Sequence, residues 1–456
     1  MFSALREQAA AVRRCGSLYF AALLPEDRIL NAFGKARSIG QSWIYTKAAT
    51  VWVFLSQCLS PDHSCREAVA RLVAWRIGQG KKPCSAETGA YCSARNRIPE
   101  VALHRLVRQS GQECEQAAPQ AWLWHGRRTC IVDGTTVTMP DTAKNQAKYP
   151  QLKAQTPGCG FPIARILVVF SLAVGAVLDA AIAPYSGKQT GENSLFRTLH
   201  KLLHRGDVVL ADRYFGGWFD IALLVRRGVD VVVRKHQLRA TDFRTGQRFG
   251  KEDHWVQWLK PARPKWMSPA CYARLPDRLE LREMRVRVIQ PGFRTRCLLV
   301  VTTMLAAEEY TASEIALLYR QRWQAELYLR SIKCILEMDH LRCKTPLRVR
   351  KEIWTHLLGY NLIRRVMAAT AISSKRRPSS ISFKGTLQTL NAFLPMLHVR
   401  IDVDHWLRSL FQAILTHREG NRPDRIEPRV RKRRPKQYPL MRVPRQTYRS
   451  QLLDRG

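Results

Sequence analysis

Apolar residues recur at helical spacing through the first quarter of the chain, as in REAVARLVAWRIG (66–78) and PEVALHRLVRQSG (99–111). Turn signals at Gly78–Pro83 and Asn96–Pro99 separate such stretches, so residues 1–120 are expected to form a helical domain. Cys65 to Gln112 admits two readings, a helix-turn-helix-like DNA-binding module or a plain helical bundle, and periodicity does not separate them. At Arg128 the texture changes. RTCIVDGTTVTM is rich in β-branched residues and predicts a strand carrying Asp133. RILVVFSL and AVLDAAIAP predict an antiparallel pair with a turn near Gly175. GENSLFRTLHKLLHRG predicts a helix, DVVLADRYFG a short buried strand ending at Asp212, GWFDIALLVRRG a second helix, and VDVVVRKH a further strand. Three strands, helix, strand, helix, strand amount to a mixed α/β sheet.

From Gln237 to Thr303 the helical pattern disappears. MRVRVI and RTRCLLVVTT, on either side of the turn signal QPGF, predict a β-ribbon with Arg285 and Arg287 on one face. Helical periodicity returns in TASEIALLYRQRWQAELYLRSIKCILEM, opened by a Thr311/Ser313 cap with Glu314 in its first turn. It continues in VRKEIWTHLLGYNLIRRVMAATA, and weaker segments reach about Thr416. The expected division is therefore 1–120 helical, 121–235 the first part of a core, 236–303 a basic β-rich insertion, 304–345 the second part of the core, 346–416 a C-terminal helical region, and 417–456 a basic flexible tail.

Charge changes the picture most. The chain of 456 residues carries 75 Lys+Arg against 36 Asp+Glu, a formal +39. With 46% apolar and 24% charged residues it can bury a core, so disorder does not explain the imbalance. A cation excess of this size repels itself unless a polyanion neutralises it, which points to nucleic acid and away from acidic small substrates. It is spread over the chain: residues 234–303 hold 16 Lys+Arg against 6 Asp+Glu, and 420–449 hold 11 against 2. The N-terminus lacks an export signal, because Arg6, Glu7, Arg13 and Arg14 interrupt it. The most apolar run, ILVVFSLAVGAVL, is too short to span a bilayer. No membrane association is expected. The 12 cysteines show no CxxC pair and read as reduced thiols; Cys58, His63 and Cys65 lack zinc-site spacing and a fourth ligand.

Carboxylates supply the chemistry. At about 100° per residue, Tyr319, Arg322, Glu326 and Lys333 fall within an arc of roughly 60° on one helix face. A solvated Arg322–Glu326 pair would explain that spacing by itself. Asp133 and Asp212 alter the balance, since an Asp in an apolar strand is costly unless paired or bound to a cation. Three carboxylates on a basic protein suit Mg²⁺ or Mn²⁺ and two-metal phosphodiester chemistry. Asp141, Asp179, Asp207 and Glu192 read as surface or capping residues, and His200 and His204 as a solvated helix face. GxxxxG-type segments lack the Lys-Ser/Thr that ATP binding needs.

Asp133-Gly134-Thr135, Asp212-Arg213-Tyr214 and the run Tyr319-x2-Arg322-x3-Glu326-x6-Lys333 resemble the DDE transposases of bacterial insertion sequences, in particular the insertion sequence four family. The resemblance covers about 128–345. It implies an RNase H-like mixed-sheet core with a β-rich insertion, a helical N-terminal domain and a helical C-terminal region. It implies Asp133, Asp212 and Glu326 as catalytic metal ligands, Mg²⁺ with Mn²⁺ as substitute, and Tyr319, Arg322 and Lys333 on DNA phosphates. It further implies a homodimer on paired transposon ends, double-stranded end and target DNA as substrates, and a cytoplasmic, nucleoid-associated location. An insertion-domain aromatic would stack a flipped base if a hairpin forms; Trp255, Trp258 and Trp266 are the candidates. A nuclease without strand transfer and a catalytically silent transposon-derived DNA-binding protein are the competing readings.

Overall fold

The computed structural model describes residues 1–15, 18–34, 43–287, 297–398, 402–418 and 439–454. The QPGF turn and residues 420–438 of the basic C-terminal stretch lie outside the described residues. Six helices open the chain: α1 (Phe2–Cys15), α2 (Glu26–Phe33), α3 (Lys47–Leu59), α4 (Cys65–Gly78), α5 (Gly89–Arg97) and α6 (Glu100–Gln116). Then come β1 (Thr129–Thr138), α7 (Ala143–Lys148), β2 (Ile163–Ser171), β3 (Val177–Pro184), α8 (Glu192–Leu199), β4 (Val208–Ala211), α9 (Trp218–Val225) and β5 (Asp230–Arg234). The insertion contributes β6 (Gln247–Gly250), β7 (Asp253–Leu259), α10 (Pro269–Ala273), β8 (Arg278–Arg287) and β9 (Cys297–Thr302). Helices α11 (Ala312–Arg320), α12 (Gln324–Arg330), α13 (Pro346–Ser373), α14 (Phe383–Phe393), α15 (Val403–Thr416) and α16 (Arg445–Leu453) follow. The last of these stands where the sequence suggests irregular chain.

Two compact units result. One combines Met1–Gly126, Phe170–Asp179 and Leu327–Glu419. Its axis is α13, which is buried on all sides over most of its 28 residues, as expected for a helix with apolar residues around its whole circumference. Several of the polar groups that α13 carries inward are paired, although, among the described residues, His356 Nδ1 and Arg365 Nε are not. Asn361 donates to the carbonyls of Val177 (2.8 Å) and Val107 (3.0 Å) and accepts from Val177 N (2.8 Å). Gly111 permits the approach of α6, because a Cβ there would stand 2.0 Å from Val177 O. The apolar run around Gly175 is thus a buried strand pair with its turn at Gly175, φ +71°. The sequence places 304–345 in a single segment; in the structure a division between the units falls inside it, between Glu326 and Leu327.

The second unit, Arg127–Val169, Ala180–Glu326 and Gly420–Gly456, is built on the sheet. Its order is β3-β2-β1-β4-β5-β9-β8-β7-β6. Strands β1, β4 and β5 are parallel, while β9 pairs antiparallel with β5. This is an RNase H-like mixed α/β sheet, and the insertion extends it: the β-ribbon expected as a separate feature continues the same nine-stranded sheet. Buried ion pairs tie the extension down. Arg282, 1% exposed, bonds Asp253; Lys235 bonds Glu283, which also accepts from the Trp258 indole at 2.8 Å. Arg285 and Arg287 do share a face, and both meet Glu252 (2.6 and 3.6 Å).

Candidate active site

Register brings the first two carboxylates together. Ile131 of β1 lies opposite Leu210 of the parallel strand β4; Asp133 stands two residues further along β1, and Asp212 two residues further on, just past the end of β4. Side chains two residues apart share a face. Beyond β4 the chain turns sharply, with Asp212 capping the turn Arg213–Phe215 and its Oδ1 accepting from Tyr214 N at 2.7 Å. Asp133 accepts from the amide of Gly134 at 2.8 Å.

The third carboxylate arrives on an irregular helix. A Thr311–Glu314 capping box starts α11, as the sequence indicates. The path then tightens into a 3₁₀ turn at Gln321–Trp323 and widens into a π turn at Ser331–Ile335 on either side of α12. A uniform 100° wheel therefore does not describe the whole run, although Tyr319, Arg322 and Glu326 remain together. Arg322 sits between two acids, with Nη2 3.0 Å from Glu326 Oε1 and Nη1 4.0 Å from Asp133 Oδ2. Tyr319 is 5% exposed. Lys333 lies on the π turn, in the segment that belongs to the helical unit.

Electrostatics mark the cluster. Burial pushes the Asp133 carboxyl up to about 6; Gly134 N–H and Arg322 oppose the shift, while Asp212 and Glu326 add to it. Burial likewise raises the Tyr319 phenol to about 12. It disfavours the Arg322 charge, but Tyr319, Glu326 and Asp133 more than compensate, so its pKa rises. Two acids sharing one partly buried guanidinium, with Asp212 close enough to raise the Asp133 pKa, form an oxygen-donor set in need of further positive charge. By chemistry it fits a divalent cation. As the side chains stand, no three His, Cys, Asp or Glu among the described residues form a ready ligand set, and Arg322 lies between two of the acids.

Other sequence expectations turn out differently. Asp179 (1% exposed) is buried against His104 at 2.7 Å, and Asp207 (4%) against Arg128 at 2.6 Å, so neither is a surface residue. His200 is buried, which lowers its pKa to about 4, whereas His204 is exposed. Asp141 takes a hydrogen bond from Gln146. Trp258 is a core residue, Trp255 is half-buried on β7, and Trp266 is 42% exposed with the Arg197 guanidinium 3.5 Å above its ring. Glu192 stands in the first turn of α8, half-buried, with its carboxylate 2.5 Å from where a Gly134 Cβ would stand. No described helix is long and apolar enough to cross a membrane.

Residues 124–362, more than half of the chain, match the family model of the transposase DDE domain. The chain belongs to the DDE transposase family. It is 26% identical to transposase InsG for insertion sequence element IS4 of Escherichia coli (strain K12) over 401 residues, 85% of this chain and 86% of that protein. A shorter match, 39% over 64 residues, links it to the transposase for insertion sequence element IS421 of Escherichia coli, covering 14% of this chain and 17% of the relative. Among solved structures, a piggyBac transposase synaptic complex with hairpin DNA aligns at TM-score 0.42 and 10% identity, over 89% of this chain and 86% of that one. The protein is thus an enzyme, a DDE transposase, of a family that generally works with a divalent metal.

Proposed function

We propose that this transposase binds the terminal inverted repeats of its own insertion sequence as a homodimer on paired ends. It then cuts them and joins them to target DNA with Mg²⁺, acting on the chromosome in the bacterial cytoplasm. The observation that carries this reading is Arg322 spanning Asp133 and Glu326, with Asp212 just past the end of the strand that pairs parallel with the Asp133 strand.

Asp133, Asp212 and Glu326 are the residues that would hold the metal, with Mn²⁺ an acceptable substitute. Bound there, a divalent ion supplies activation of the attacking water or 3′-hydroxyl and neutralises charge on the leaving oxygen. The chain's own groups do the rest. Arg322 offers two parallel N–H donors to a phosphate, and its carboxylate partners hold it ready for that contact. Tyr319, nearly buried next to Arg322, would steady the guanidinium. Lys333 adds a point charge for the DNA backbone. Incubating the full chain with DNA carrying the element's ends and Mg²⁺ tests the reading. Nicked and joined products from wild type, and none from Asp133→Ala, are expected. Hydrolysed ends without joined target would point to a nuclease instead, and end binding without any cleavage to a silent DNA-binding protein.

A further inference from the structure

We infer that Arg234 is a DNA-contacting residue of the active centre, whose guanidinium takes the backbone phosphate next to the one being cut. The inference deepens the proposed function and rests on its reading that Asp133, Asp212 and Glu326 do the cutting.

Strand register is the first observation. Leu210 of β4 lies opposite Ile131 of β1 on one side and opposite Val232 of β5 on the other. Two residues further along each chain stand Asp133, Asp212 and Arg234. Asp212, just past the end of β4, keeps extended backbone (φ −79°, ψ −179°), so the period of two puts all three on one face of the sheet. Paired strands lie about 5 Å apart, and a row opened by two acids is closed by a cation. The second observation is what meets that face. Helix α11 packs against β5, and its Tyr319 phenol, raised first by burial, also feels Arg322, Asp212 and Arg234. Arg322 in turn reaches Asp133 at 4.0 Å, so the run from Tyr319 to Glu326 and the row face each other. The turn that carries Asp212 lies against the end of β5 as well: a Cβ on Gly216 would stand 3.3 Å from Arg234 O.

Pairing is the third. Among the described residues, the half-buried Arg234 guanidinium makes no hydrogen bond and no ion pair. Neighbouring cations are engaged: Arg213 donates to Gln237 at 2.7 Å, Lys235 to Glu283, Arg322 to Glu326, and Arg239 stacks on Trp258 at 4.0 Å. A half-buried guanidinium gives up hydration that a protein partner would return, and its planar fork of donors matches a phosphate. The carboxylates of the row call for positive charge and Arg234 for negative; a divalent ion and a DNA phosphate satisfy both. Arg322, beside Asp133 and Glu326, would meet one phosphate. Arg234, beyond Asp212 in the row, would meet the next. A strand held at two successive phosphates is fixed in register with the acids.

Two readouts test it, on the full-length protein and duplexes of the element's own ends. In EDTA, without turnover, ends ethylated at single phosphates are sorted by gel shift into bound and free DNA. Wild type is expected to reject ethylation at a phosphate beside the cut. Arg234→Ala should tolerate it there, while rejecting ethylation at outer phosphates as wild type does. With Mg²⁺, Arg234→Ala should nick about tenfold or more slowly, with partial recovery in Arg234→Lys. A methylphosphonate at the same position should slow wild type by a similar factor and Arg234→Ala no further. The melting temperature should be unchanged, because the side chain has no protein partner to lose; if Arg234→Ala melts lower, Arg234→Gln carries both readouts. The same ethylation pattern in wild type and variant, or a methylphosphonate loss that adds in full to the Arg234→Ala loss, overturns the inference. The proposed function then stands as long as Asp133→Ala cuts nothing. Cutting by Asp133→Ala sinks that function instead, and the EDTA readout still judges Arg234.

Discussion

Replacing Asp133 by Asn should make the metal-free protein more stable while removing its activity. The Asp133 carboxyl titrates near 6 in the fold against an ordinary 3.8. Below pH 3.8 both folded and unfolded chains hold the proton, and there is no penalty. Between 3.8 and 6 the unfolded chain ionises first, so stability falls as pH rises; above 6 the penalty is constant. A gap of about two units at 1.36 kcal/mol each gives about 3 kcal/mol at pH 7 to 8. Asparagine fills the same space without the charge. Arg322 keeps its 3.0 Å contact with Glu326, so the change does not leave it unpaired. Urea unfolding of the sheet-based unit in EDTA, followed across pH 4 to 8, should show Asp133→Asn gaining on wild type with rising pH, to at most about 3 kcal/mol. Adding Mg²⁺ should narrow the difference by stabilising wild type more. A variant that is less stable at pH 8, or a difference independent of pH, would refute the electrostatic reasoning.

Further outcomes follow from the same geometry. Arg322→Lys keeps the charge but cannot span Asp133 and Glu326; cleavage of element ends should fall roughly tenfold or more, the worth of a charge-assisted hydrogen bond, with a smaller effect on end binding by gel shift. Glu283→Ala strands the buried Lys235 and should cost about 3–5 kcal/mol in chemical denaturation. Trp258→Ala removes a core side chain and should cost about 3–5 kcal/mol, whereas Trp266→Ala should change stability little. Deleting residues 420–456 should flatten the salt dependence of non-specific DNA binding by about 0.9 in log–log slope for each phosphate that the shortened chain no longer neutralises, and an unchanged slope would take this segment off the DNA.

What the sequence made legible follows from what periodicity encodes. The strand carrying Asp133, the short strand ending at Asp212 and the capped helix beginning at Ala312 all stand where β-branched runs, apolar runs and the Thr311 signal put them. Pairing between distant strands is a tertiary choice, so the junction of β5 with β9, and with it one continuous sheet, had no local signature. Helices α7 and α10, at 6 and 5 residues, are too short to repeat an apolar face. The 3₁₀ and π turns around α12 likewise leave a helical sequence looking uniform.

The claim that Asp133, Asp212 and Glu326 together cut and join DNA is tested most directly by single-residue replacement in a Mg²⁺-dependent assay on the element's own ends. Alanine at any one of the three should leave end binding intact and abolish both nicking and strand transfer. Normal cleavage by any one of these variants would contradict it.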